Sequence, residues 1–156
     1  MKHQAEWIIG TIIAILGLLT AIRFFHSPNI ILTRQSASDY TCPDTLYSNF
    51  NIMFSNKGSA DTSLCVSLSS PNKNITFDKE SDCLYVSSGE QTQFTLGVNE
   101  SSLSNLNNAT IKYNYIYTKF FIKQNHTISC EYEKEGNWQF NLKSQKTLYW
   151  KRNNKT

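Results

Sequence analysis

The four cysteines, Cys42, Cys65, Cys83 and Cys130, are the residues of this 156-residue chain whose types and spacing constrain chemistry most. Four thiols can ligate a metal or pair as disulfides. Zinc sites need close pairs such as Cys-x-x-Cys, and none occurs; His26 and His126 stand at no ligand spacing. An even number of cysteines in about 130 residues of domain therefore predicts two disulfides and an oxidising compartment. Four reduced, buried thiols acting as small hydrophobes are the competing reading.

Catalytic chemistry has little to stand on. The three histidines, His3, His26 and His126, fall in a tail, a linker and an expected hairpin turn, with no plausible catalytic nucleophile or carboxylate beside them in sequence. No nucleophile elbow, Walker loop, dinucleotide fingerprint or His-Glu-x-x-His motif occurs, so no catalytic, cofactor or metal site is assigned. Asp78, Glu80 and Asp82 alternate and could supply half a calcium site, but the glycine of an EF-type loop is absent and a solvated acidic turn is the better reading. Glu131, Glu133 and Glu135 alternate too, as on the wet face of an edge strand. Tyr113, Tyr115 and Tyr117 share one strand face, either a platform for sugar rings or, as the polar opposite face favours, core.

The elements that would position these residues begin with an apolar run. Trp7–Ile22 is free of charge, and Trp7–Phe25 makes nineteen residues, about 28 Å of helix against a hydrocarbon core of about 30 Å. A single transmembrane anchor follows, with Trp7 and Phe24/Phe25 at the interfaces and Arg23 snorkelling outward. A cleaved signal peptide would need small residues where Arg23-Phe24-Phe25 stand. Gly10, Ala14, Gly17 and Ala21 line one stripe that permits helix–helix contact or self-association.

Orientation is contested. Lys2 and the amino terminus weigh against Arg23 and Arg34, which alone leans toward a cytoplasmic body. The cysteines argue for the opposite side, joined by five Asn-x-Ser/Thr sequons at Asn74, Asn99, Asn108, Asn125 and Asn154. With 16 Asn in the chain, chance supplies about three, so the sequons add only mild support. The expectation is N-in, C-out.

After Ser27-Pro28 the period becomes two. Segments 1–6, 7–25, 26–44, 45–142 and 143–156 read as flank, anchor, linker, β-domain and basic tail. Strands are expected around Phe50–Ser55, Ser63–Leu68, Ile75–Phe77, Cys83–Val86 and Gln91–Val98, then Thr110–Ile122, Thr127–Tyr132 and Trp138–Leu142. Asn99–Asn108 reads as a loop with one helical turn, and Lys123–His126 as a hairpin turn. Short strands and frequent turns make the fold class all-β, an antiparallel sandwich of about seven strands. Lys143, Lys146, Lys151, Arg152 and Lys155, with Leu148-Tyr149-Trp150 among them, form a basic stretch that is either a solvated tail or a contact for anionic surfaces. The net charge of +3 is far from a nucleic-acid binder's field.

Phe54-Ser55-Asn56-Lys57-Gly58-Ser59-Ala60-Asp61, followed by Ser88-Gly89-Glu90-Gln91-Thr92-Gln93-Phe94, resembles the immunoglobulin-like β-sandwiches of prokaryotic surface proteins, which include the CARDB-type adhesion-like domains. There an Asn-x-Gly turn ends one strand and a Gly-Glu pair precedes a later one. Gly58 and Gly89 are expected to supply positive φ. The resemblance implies a fold and a surface setting and transfers no site residue.

Strand faces bear on cysteine pairing. Cys65 is out of phase with Leu64, Val66 and Leu68, and Cys83 with Leu84 and Val86, which favours Cys65–Cys83 with Cys42–Cys130 among the three connectivities. The chain then reads as a membrane-anchored extracytoplasmic module that binds or scaffolds a protein or glycan without cofactor or nucleic acid. The alternatives are a cytoplasm-facing sensor or assembly factor, an accessory subunit of a larger membrane complex, and an enzyme with a spatially assembled site.

Overall fold

The computed structural model describes residues 2–33, 41–136 and 139–148, with the backbone only at 2–5 and 23–25. Readings that involve Arg34, Trp138, Tyr149, Trp150, Lys151, Arg152, Asn154 and Lys155 lie outside these residues, as do those on the side chains of Arg23, Phe24 and Phe25.

Helix α1 spans Lys2–Phe25. Its Ile, Leu and Ala residues propagate the helix, and its two threonines return their hydroxyls to it. Thr11 Oγ1 donates to the Trp7 carbonyl at 2.8 Å, and Thr20 Oγ1 reaches those of Leu16 and Gly17, each at 2.8 Å. The described side chains from Trp7 to Ile22 are exposed on every face. Among the described residues no helix is long and apolar enough to cross a membrane.

Among the described residues nine strands follow: β1 (Ile30–Leu32), β2 (Thr45–Leu46), β3 (Asn49–Asn56), β4 (Thr62–Ser69), β5 (Ser81–Val86), β6 (Gln91–Gly97), β7 (Asn108–Lys119), β8 (Ile122–Glu135) and β9 (Gln139–Leu148). The short helix α2 (Glu100–Leu103) lies between β6 and β7. All pairings are antiparallel, in a three-stranded sheet β1-β3-β6 and a six-stranded sheet β2-β9-β8-β7-β4-β5.

Period-two alternation decides which side chains meet between the sheets. Phe50, Ile52, Phe54, Phe94 and Leu96 face Leu64, Val66, Leu68, Ile111 and Tyr113, all buried. Phe54 packs edge-on against Phe94 at 5.6 Å and Tyr115 at 5.1 Å, and Phe50 meets Tyr113 at 5.8 Å. Tyr113, Tyr115 and Tyr117 are thus core residues and offer no outward platform. Burial pushes the Tyr113 and Tyr132 phenols far above the usual range, so both stay protonated.

Several elements differ from expectation. Ile75–Phe77 is loop, although Ile75 is buried; Lys79 bridges to Gly97 instead. The hairpin turns at Phe120-Phe121, and Lys123–His126 is strand. Polar residues mark turns in sequence, yet this register sets Ile111 opposite Cys130 and Tyr113 opposite Ile128, which fills the core. β9 continues through residues 143–148, which the sequence assigned to the tail. β8 is consequently an interior strand, and Glu131, Glu133 and Glu135 do not guard an edge. Lys143 pairs with Glu133 at 2.8 Å and Lys146 with Glu131 at 3.4 Å. The Glu131 carboxyl is held low by the Ser144 hydroxyl and by Lys146.

Candidate functional site

At the helix exit a buried amide, Asn56, ties the chain to one end of the sandwich. Asn56, fully buried at the end of β3, accepts the N–H groups of Asn29 (3.1 Å) and Gly58 (3.0 Å) on Oδ1. Its Nδ2 donates to the carbonyls of Ala60 (2.8 Å) and Val86 (3.3 Å). Gly89 adopts the positive φ of 80° that its turn requires. Gly58 does not; it is needed for a different reason, since a Cβ there would stand 2.2 Å from the Ser27 carbonyl oxygen and 2.4 Å from the Asn29 nitrogen.

The structure holds two disulfides, Cys42–Cys130 and Cys65–Cys83, and among the described residues no free cysteine. Cys42 and Cys130 are fully buried. Gln145 Oε1 accepts the N–H groups of Thr41 (2.8 Å) and Cys42 (3.0 Å), and Tyr132 donates to the Pro43 carbonyl at 3.0 Å. Cys65 and Cys83 are directly opposed on β4 and the edge strand β5, on the outer face, with Cys83 exposed.

A cleft of about 420 Å³ opens at the end of the sandwich remote from the helix exit. Its floor is Leu46, Leu103 and Phe140, and Tyr47 stands half exposed at its rim. Glu100, Ser101, Ser104 and Lys134 complete the wall. Local sequence explains the wall: Asn99 caps α2, its Oδ1 accepting the Ser101 N–H at 3.0 Å, while Leu103 turns into the core. Lys134 Nζ donates to the Ser104 carbonyl at 2.7 Å and lies 5.9 Å from the centre of the Phe140 ring. An apolar floor, an aromatic rim and a ring of hydroxyls and opposite charges suit an amphipathic ligand, with rings stacking on Tyr47.

None of these cleft residues stood out in sequence, where the tyrosine row drew attention instead. The signal was weak: Phe140 is one residue in an alternating strand, and Tyr47 follows the two-residue strand β2.

The other sequence candidates are dispersed. His126 is half-buried on β8, stacked on Tyr115 at 4.8 Å and Tyr117 at 6.1 Å, and burial lowers its pKa. Asp82 pairs with Lys79 at 2.6 Å, and Asp78 accepts from Asn99. Among the described residues no group of three or more His, Cys, Asp or Glu side chains could hold a metal ion. Asn74, Asn108 and Asn125 are exposed, whereas the Asn99 amide is engaged in its cap. A Cβ built at Gly10 or Gly17 meets nothing within 4 Å, so the stripe with Ala14 and Ala21 is open.

Fold and site together define a two-sheet antiparallel β-sandwich, clamped by two disulfides, with an N-terminal helix at one end and a cleft at the other. No protein-family model matches the chain, and no curated protein matches it.

Proposed function

We propose that the chain is a membrane-anchored, extracytoplasmic and non-catalytic binding module, whose cleft at Tyr47 and Phe140 engages a protein or glycan. The observation that carries this reading is polarity: α1 leaves the sandwich beside Asn56, while the cleft opens at the far end. An anchor at one end then presents the other to a partner.

The anchor is supported by the charge-free run Trp7–Ile22 within α1, whose described side chains are exposed on every face. It is supported also by the internal bonding of both threonine hydroxyls, which lipid would demand. Two disulfides support the oxidising side. The strand order, with β3, β4, β5 and β6 passing between sheets, supports an immunoglobulin-like Greek key. Exposed Asn74, Asn108 and Asn125 are the sequons this orientation offers for glycosylation.

Protease treatment of intact cells tests the arrangement, together with mass measurement of free thiols. The sandwich is expected to be cleaved from outside with every cysteine oxidised. A protected, fully reduced domain overturns the reading in favour of a cytoplasm-facing sensor or assembly factor.

A further inference from the structure

The hairpin joining β7 and β8 turns on two residues of an unexpected kind. Phe120 (φ 52°) and Phe121 (φ 64°) both occupy the left-handed region, the pattern of a tight two-residue hairpin turn that Asn-Gly satisfies without strain. Phe121 is 79% exposed, and Ile122 beside it 48%. Lys119 and Lys123 flank the three, with Lys119 Nζ 5.8 Å from the centre of the Phe120 ring. Phe121 and Ile122 are displayed to the outside at this turn, Phe120 less so at 37% exposure, and the left-handed pair is held at a local conformational cost.

Position says what they serve. The Thr62 hydroxyl reaches the carbonyl of Thr118 at 3.4 Å, so the hairpin tip lies at the end of the sandwich where β4 begins. That end also holds the turn of Asn56 and Gly58, against which the segment leaving α1 packs. The tip and the helix exit share one end, whereas the cleft lies at the other end of β7, twelve residues or about 35–40 Å away.

We infer that the Phe120-Phe121-Ile122 tip is a second membrane contact, inserted into the interface of the bilayer that holds α1, with Lys119 and Lys123 on anionic headgroups. This rests on the proposed anchor. Aromatic and aliphatic side chains ringed by lysine match the two layers of such an interface, acyl chain below and phosphate above. The contact adds a second point of attachment beside the helix, which limits swivelling of the sandwich and keeps the cleft pointed away from the membrane.

The test uses the full chain in vesicles of phosphatidylcholine and phosphatidylglycerol carrying a phospholipid with a photoreactive acyl chain. After irradiation, adducts are mapped by peptide mass. Adducts on both α1 and residues 120–123 are expected. Adducts on α1 without the hairpin overturn the tip contact and leave the anchor standing; adducts on the hairpin alone support the tip and remove the anchor; adducts on neither remove both. Lys119→Ala with Lys123→Ala should lower hairpin labelling roughly five-fold or more in the anionic vesicles and little in pure phosphatidylcholine.

Phe120→Asn with Phe121→Gly separates function from folding. It should raise the Tm by a few degrees while abolishing hairpin labelling, because the new pair suits the turn. Unchanged labelling of the hairpin in this variant overturns the inference, whether the Tm rises or falls.

Discussion

The side chain of Asn56 and the backbone of Asn29 meet at 3.1 Å, one of the bonds that hold the segment leaving the helix to the sandwich. Lys57 N–H donates to the Asn29 carbonyl at 2.8 Å, and Ser59 N–H to that of Ser27 at 3.0 Å, so the linker runs as an added edge beside the β3–β4 turn. An Asn-x-Gly sequence has two jobs here. The amide pairs four backbone groups, and the glycine lets a second chain approach.

Asn56→Ala should therefore be costly. It strands two N–H groups and two carbonyls that the buried amide satisfies. A loss of about 2–4 kcal/mol is expected by urea denaturation, after allowing for partial rehydration. A change within about 0.5 kcal/mol would show that water replaces the amide freely.

Gly58→Ala should loosen the linker rather than the core. The obstructing atoms are backbone of Ser27, Pro28 and Asn29, which cannot rotate aside. Amide exchange at Lys57 and Ser59 is expected to accelerate far more than at core positions such as Ile111. Gly89→Ala makes a useful contrast: space is open there, and the cost of about 1–2 kcal/mol comes from φ alone.

The two disulfides should separate under mild reductant. Cys83 is exposed, whereas Cys42 and Cys130 are fully buried, so Cys65–Cys83 should open first in a timed alkylation experiment. Their removal should rank the other way. Cys42–Cys130 spans 88 residues and Cys65–Cys83 spans 18, for which chain entropy suggests about 4–5 and about 3 kcal/mol.

Acidification should destabilise the sandwich in two stages. His126 has a folded pKa below its ordinary 6.5, so the unfolded chain binds the extra proton. Its contribution is complete above pH 6.5 and is lost as pH falls from there through the folded value. Asp82 and Glu131, held below 3.8 and 4.5 by their lysine and hydroxyl partners, lose theirs lower still. His126→Phe should erase the first stage of a pH–urea series and leave the second.

In the cleft, Tyr47→Ser should weaken partner binding by about ten-fold while barely moving the Tm, because the ring is half exposed. Phe140→Ala should damage both, being 2% exposed between its strand partners Leu46 and Lys134. Equal affinities for Tyr47→Ser and wild type would place the contact surface elsewhere.

Much of the strand pattern was legible from alternation alone. Leu64, Val66 and Leu68 had to face inward once Cys65 faced out, and their neighbours Leu84 and Val86 repeat the phase. Turn chemistry was a weaker guide. Lys123-Gln124-Asn125-His126 has the polar composition of a turn and is strand, while Phe120-Phe121 has the composition of a strand and is the turn.

By itself the sequence determined the local facts: an apolar helix, strands of period two, and which residues each strand turns to the core. Those follow from side-chain character read over a few neighbours. Only the tertiary structure decided that β8 is interior, that the hairpin tip and helix exit share an end, and that Tyr47 meets Phe140 and α2 across one cleft. Sheet order and register depend on the summed packing of residues far apart in the chain, and no local pattern encodes that sum.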